Sequence, residues 1–328
     1  DNSGDAIFLY DQFADRWVLT QFAVTTGNDV CFAVSTSGDP TGTFYLYRMP
    51  SVRFPDYYKL GVWPDPTHNA YLMGTNTGFA GQYDVYAVAR ANLLAGTAPR
   101  SALYFVDFPN LLMPADVDGP IAPPAGSPGV FYTFRDGGES YFIPPSAVDS
   151  LDIYEMSIDW TTPANSTLSL VQQITSPDLA DFIWTICGFF VTNCLPQPGT
   201  SQGLDSLSWW PMQRLAYRNY ETHESVAGSW TVDTLASGDH AAPRWFELRR
   251  NGGAWSMFQQ GTHAPDSAHR WGPSIAMDAI GGIALGYSVV DAPNTVYPSI
   301  RYATRSPGDT LGTLQAEQSL IAGGGAQT

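Results

Sequence analysis

Acidic residues at recurring places are the first chemistry this chain offers. Asp5 in "GDAIF", Asp56 in "FPDYYKL", Asp116 and Asp118 in "PADVDG", Asp205 in "GLDSLS" and the run His269, Arg270, Trp271 in "HRWGPSIAMD" all stand where a loop runs into an expected strand. Carboxylates held a few ångströms apart repel, so one keeps its proton to a higher pH. That suits a general acid at a glycosidic bond, or a shared cation. Asp5, Asp56, His269 and Arg270 are therefore the candidate catalytic residues. An arginine beside a histidine can also grip a sugar carboxylate or sulfate through charge-assisted hydrogen bonds. Asp205, Trp271, Trp209, Trp210 and Tyr57 are the candidate ligand-binding residues, with Trp63, Trp209, Trp210 and Trp271 expected to expose rings on which sugars can stack. Asp116 and Asp118 flank a valine and precede Gly119. A tight turn there would aim both carboxylates one way, with carbonyl oxygens nearby, a hard-oxygen set that suits Ca²⁺. Any one of these aspartates also has an ordinary reading, because Asp stabilises turns by bonding backbone groups two residues on.

Two histidine clusters are weaker signals. "NYETHES" places His223 between Glu221 and Glu224, where a turn between strands favours a structural histidine over a general base. "THAPDSAHRW" sets His263 and His269 on either side of Asp266, a loose spacing for metal ligation.

The elements that must position these residues are strands. Turn formers recur about every ten residues, helical periodicity is nearly absent, and "ARANLLAG" is the best helix-like stretch. The same order of lead-in loop, strand, turn and three further strands occurs over about 1–50, 51–109, 110–178, 200–263 and 264–328. Repetition of a four-strand unit at that period predicts an all-β single domain, 1–328, of the β-propeller class with five visible four-stranded repeats: five-bladed, or the central part of a ring of up to seven blades. A long β-sandwich is the structural alternative, and it rarely repeats one four-strand pattern five times. The inner strands are expected to begin near Asp5, Asp56, Asp116, Asp205 and Trp271, bringing those side chains to one mouth of a central channel.

"GDAIFLYDQFADRWVLTQFA", "FPDYYKLGVWPD", "LLMPADVDGPIAPPAGSP", "CLPQPGTSQGLDSLS", "RLAYRNYETHES", "HRWGPSIAMD" and "VYPSIRYATR" together resemble a largely uncharacterised family of secreted bacterial proteins. In that family a propeller-like region sits within large multidomain exoproteins. The resemblance covers the whole chain. It implies a propeller, an extracellular location and further domains or blades of a larger exoprotein, and it brings no established activity. Where the family usually carries a charged stretch, this chain has "LSWWPM" around Trp209 and Trp210.

Composition narrows the function classes. Fifteen basic residues face 31 acidic ones, the net charge is −16, and Lys59 is the only lysine. A nucleic-acid or anionic-membrane partner needs clustered cations that are missing here. There is no apolar run long enough to span a bilayer, so no membrane insertion is expected, and no secretory leader opens the chain, which therefore reads as a mature or trimmed form. "GxSxG", P-loop and "HExxH" signatures are absent. Cys187 and Cys194 bracket residues 188–193 of a Pro/Gly-rich segment, 179–199, and read as a local disulfide formed outside a reducing cytoplasm. Cys31 in "DVCFAVS" reads as a small hydrophobe.

Two functions from different classes follow. One is an extracellular propeller module that binds a polysaccharide or cell-surface ligand through the channel mouth and its loops. The other is a carbohydrate-active enzyme, a glycoside hydrolase or polysaccharide lyase, using the same aspartates with His269 and Arg270. Propellers host both, so the fold does not choose between them.

Overall fold

Alternating apolar and polar residues between closely spaced turns leave little choice but antiparallel strands. The computed structural model describes residues 4–24, 27–77, 82–138, 146–235 and 238–327, and they hold twenty strands in five runs of four. The first run is β1 (Ile7–Asp11), β2 (Arg16–Ala23), β3 (Asp29–Ser35) and β4 (Phe44–Pro50). The second is β5 (Asp56–Trp63), β6 (Ala70–Asn76), β7 (Tyr83–Ala89) and β8 (Leu103–Phe108), with a short helix α1 (Arg90–Leu94) between its last two strands. The third is β9 (Met113–Asp118), β10 (Gly129–Arg135), β11 (Ser150–Ser157) and β12 (Thr167–Ile174). The fourth is β13 (Leu215–Asn219), β14 (Glu224–Asp233), β15 (Ala241–Arg250) and β16 (Ser256–Thr262), and the fifth is β17 (His269–Met277), β18 (Ile283–Asp291), β19 (Val296–Arg305) and β20 (Gln318–Ile321). Within every run, strands adjacent in sequence are adjacent in the sheet. The all-β class with five four-stranded repeats is thus the one these strands build, and the one helix-like stretch of the sequence is the one α-helix among the described residues.

The described residues divide into two compact units, 4–133 with 152–172, and 134–138 with 146–151 and 173–327. In the first unit, one face of β1–β4 packs on one face of β5–β8. Val18, Phe22, Phe32 and Val34 meet Tyr58, Leu60, Tyr71 and Met73 in one buried cluster. A buried ion pair seals its rim: Arg90 donates two bonds to the Asp11 carboxylate, 2.6 and 2.7 Å, and Tyr71 donates a third, 2.9 Å. On the other face of the second blade, glycines let backbones meet. A Cβ on Gly61 would stand 2.2 Å from the Ala115 carbonyl oxygen, and one on Gly74 would stand 1.9 Å from that of Leu112.

In the second unit, Ala216, Ala227 and Trp245 of the fourth blade pack on Ile275, Met277, Leu285 and Tyr287 of the fifth. Cys187 and Cys194 form the expected disulfide, their Cα atoms 5.7 Å apart. It packs on a small core of Ile186, Leu195, Ala241, Trp271 and Val290.

Three expectations need correction. The fourth inner strand begins at Leu215, ten residues beyond Asp205, whose carboxylate instead accepts the Leu207 amide at 2.9 Å and so closes a turn. Trp63, Trp209, Trp210 and Trp271 are all buried, so none of them offers a free ring to a ligand. Trp209 and Trp210 pack edge-on to each other and to Phe190, an apolar cluster that the neighbouring disulfide loop closes. Asp116 and Asp118 lie in β9 rather than in a turn.

Candidate functional site

The first unit brings together Asp5, Asp56 and Tyr57 with a residue the sequence reading had counted but not assigned, Lys59. β5 opens at Asp56, opposite Asn76, yet Lys59 pairs with Gly74, so two residues of β5 oppose one of β6. This bulge twists the strand start and re-aims its side chains. Tyr57 in the bulge has φ +47°, and Asp5 has φ +51°, left-handed values that cost free energy in residues other than glycine.

The bulge sets the contacts. The Asp56 carboxylate accepts the Tyr57 amide at 2.9 Å and the Asn76 side-chain amide at 3.4 Å. The Lys59 ammonium donates to the carbonyls of Tyr57 and Tyr58, 3.2 and 3.3 Å, and lies 3.2 Å from the centre of the Tyr57 ring. Burial drives its pKa down to about 8, against the fields of Asp5 and Asp56, which favour the charged form. Burial also pushes the Asp56 carboxyl up; the Tyr57 amide opposes that, the charge of Asp5 adds to it, and Lys59 opposes it. An amine with a lowered pKa, a carboxyl with a raised one and a second carboxylate within their field are groups that can exchange protons and bind hydroxyls. Nothing in the sequence marks the bulge, and the one signal for Lys59 was its being the sole lysine.

The other predicted residues are placed differently. Neighbours on a strand point to opposite faces, so His269 and Arg270 of β17 cannot grip one ligand together. Arg270 is 0% exposed. Its Nε and Nη2 fork onto Glu317, both 2.9 Å, and its Nη1 bonds Asp266 and the Ala268 carbonyl, both 2.8 Å. This corrects the anion-clamp reading, because the guanidinium is already committed within the fold. His269 accepts the Ala241 amide at 3.3 Å and faces His240, ring centres 5.7 Å apart; burial and then His240 lower its pKa. His223 stacks on Tyr220 at 5.0 Å, while Glu224 holds Arg250 and the Tyr217 hydroxyl, a structural arrangement. Asp116 accepts the Val62 amide at 3.0 Å. Among the described residues no group of three or more His, Cys, Asp or Glu is placed to hold a metal ion, and no helix is long and apolar enough to cross a membrane.

No family model matches the chain, and no curated protein matches it. Solved structures with low similarity include the Cellvibrio cellulosa α-L-arabinanase, 11% identical, covering 96% of each chain at a TM-score of 0.39. An exo-1,5-α-L-arabinanase from a bovine ruminal metagenomic library is 10% identical over 96% of this chain and 97% of its own, TM-score 0.39. A thermostable family-43 glycoside hydrolase is 12% identical over 99% and 96%, TM-score 0.36.

Proposed function

We propose that this chain is an extracellular propeller module that binds polysaccharide, and that Asp5, Asp56, Tyr57 and Lys59 form its contact site. The observation that carries the reading is their grouping at the β5 bulge: two carboxylates to accept sugar hydroxyls, one ammonium to donate, and an aromatic ring beside them. The disulfide supports an oxidising compartment. Immobilised neutral and anionic polysaccharides test it. Retention that Asp56→Asn and Lys59→Met each reduce at least tenfold is expected, and equal retention of all three proteins sinks the site.

A second reading has its own support. Lys59, with its pKa near 8, and Asp56, raised by burial, are suited to proton transfer, so the same site would serve a polysaccharide lyase or hydrolase. Release of reducing ends, or of unsaturated uronate seen by its ultraviolet absorbance, that Lys59→Met abolishes would establish the enzyme. Retention without release leaves the module. Calcium at Asp116 and Asp118 is a subsidiary proposal, in which Asp118 and nearby carbonyls would supply most of the oxygens. A melting temperature identical in calcium and in chelator removes it.

A further inference from the structure

The seam between the fourth and fifth blades holds a cavity of about 320 Å³, well away in sequence from the β5 bulge. Two glycines shape it. Gly261 of β16 pairs with Trp245 of β15, so the neighbour on that side has no side chain to lay against the indole. Backbone from the segment between β19 and β20 comes in instead. A Cβ on Gly261 would stand 2.2 Å from the Gly312 carbonyl oxygen, and one on Gly312 would stand 2.5 Å from that of Gln260. The Gly312 amide also donates to the Gln259 side chain at 3.1 Å, which pins the returning segment to β16. Residues 312–317 then form one wall of the cavity and residues 262–265 the other, with Trp245 between them.

The side chains inside set its chemistry. The His263 side chain is only 10% exposed, and its Nε2 is sealed from solvent, 3.8 Å from Glu317 Oε2 and so too far for a hydrogen bond. The carboxylate favours a proton on that nitrogen, which leaves Nδ1 an acceptor. Neither Nδ1 nor the Trp245 indole N–H bonds another group among the described residues, although a buried indole N–H ordinarily finds a partner. An uncommitted donor and an uncommitted acceptor on one cavity match hydroxyls, which both give and take hydrogen bonds.

The charges around them cancel. Glu317 and Asp266 are paired with Arg270, and Glu317 also with Arg301, two carboxylates against two guanidiniums. Burial, and then the charge of Arg270, holds the His263 imidazole below its ordinary 6.5 against the pull of Glu317, so it is neutral at pH 7. A charged ligand would give up its hydration here without meeting a free countercharge. A sugar ring carries hydroxyls on its rim and C–H groups on its faces, which suits a donor and an acceptor backed by Leu314 and Pro265, and the volume lies at the small end for a ligand site.

We propose that this seam is a second binding site, for one neutral sugar residue, whose hydroxyls donate to His263 Nδ1 and accept from Trp245 Nε1. Glu317 is a positioning residue that holds the imidazole proton on the inner nitrogen. The site is independent of the β5 bulge and stands or falls by its own signals.

Nuclear magnetic resonance of the natural chain at pH 7 reads it through the Trp245 indole N–H and the His263 ring. Methyl glucoside, methyl galactoside and methyl xyloside are the probes, and at least one should shift both signals saturably with a Kd on the order of 1 mM, the strength expected of so small a ligand. Glucuronate and choline, an anion and a cation, should bind at least tenfold more weakly. His263→Phe keeps a ring and loses the acceptor, and should weaken sugar binding at least tenfold. Ala264→Trp and Ala316→Trp, at exposed positions on the two walls, should each abolish the shifts while leaving the circular dichroism unchanged. Signals that no sugar moves up to about 50 mM, a charged probe bound as tightly as the best sugar, or wall variants that bind like the natural chain overturn the proposal.

Discussion

At the scale of the residue, Lys59 is the position where burial and charge disagree most usefully. The folded pKa near 8 lies below the ordinary 10.5, so between those values the unfolded chain binds more protons than the folded one. Stability therefore rises with pH through that window, and below it the buried ammonium costs the fold free energy. Lys59→Met should stabilise the protein at pH 7 by about 1 kcal/mol, on the order of 2 °C, while weakening glycan retention. The difference between variant and natural chain should shrink as pH rises from 8 toward 10. A calorimetric series showing a constant difference, or a destabilised variant, would count against the low pKa. This residue was nearly invisible in the sequence, because a bulge and its desolvation are tertiary facts. The strand starts near Asp5 and at Asp56 were legible, since Asp at a strand start is a local pattern, whereas the exposure expected of Trp209 and Trp210 failed because a distant segment, the disulfide loop, covers them.

At the scale of the element, Glu317 works as a clasp for the last blade. It takes the fork of Arg270 from β17, the Tyr287 hydroxyl from β18 at 2.8 Å and Arg301 from β19, just before β20 begins. Burial pulls its carboxyl up, but the hydrogen bonds from Arg270, Tyr287 and Arg301 outweigh that and hold it down to about 2. Its contribution is complete above the ordinary 4.5 and is lost as pH falls from there toward 2. Glu317→Ala leaves a buried Arg270 charge with half its partners and should cost about 3–5 kcal/mol, read from denaturant unfolding at pH 7. The gap to the natural chain should close below pH 4, and a pH-independent gap would argue that only packing was lost. Four-strand periodicity was legible here because turns and alternation are local. The clasp was not, because Glu317 lies 47 residues from Arg270. The start of β13 was misjudged for a related reason: Asp205 closes its own turn, and residues 205–214 run on as a loop that Trp209 and Trp210 anchor.

Blade contact itself can be tested at the same scale. A Cβ on Gly74 collides with a backbone carbonyl that has no rotamer to yield, whereas Gly286 has open space. Gly74→Ala should cost about 3 kcal/mol, and Gly286→Ala should change stability by less than about 0.5 kcal/mol. Equal effects in chemical denaturation would mean that β6 and Leu112, just ahead of β9, do not approach as closely as described.

At the scale of the whole molecule, charge decides what can come near. Thirty-one acidic and fifteen basic residues leave a field of −16, and several of the arginines are spent internally, on Asp11, Glu224 and Glu317. Surface self-repulsion falls as salt shortens the Debye length from ~30 Å at 0.01 M to ~8 Å at 0.15 M, so the melting temperature should rise by a few degrees over that range. The same field sorts ligands. At the proposed site a neutral polysaccharide would meet only uncharged hydroxyl contacts, and its retention should be nearly independent of salt. An anionic one must first cross the negative field, so any retention at Lys59 should strengthen with salt, the reverse of a cationic binding surface. Affinity electrophoresis in gels loaded with either polymer, run at low and moderate ionic strength, reads both trends at once. Strong retention of the anionic polymer at low salt, fading as salt is added, would require a basic surface that fifteen scattered cations do not make, and would move the binding site away from the β5 bulge.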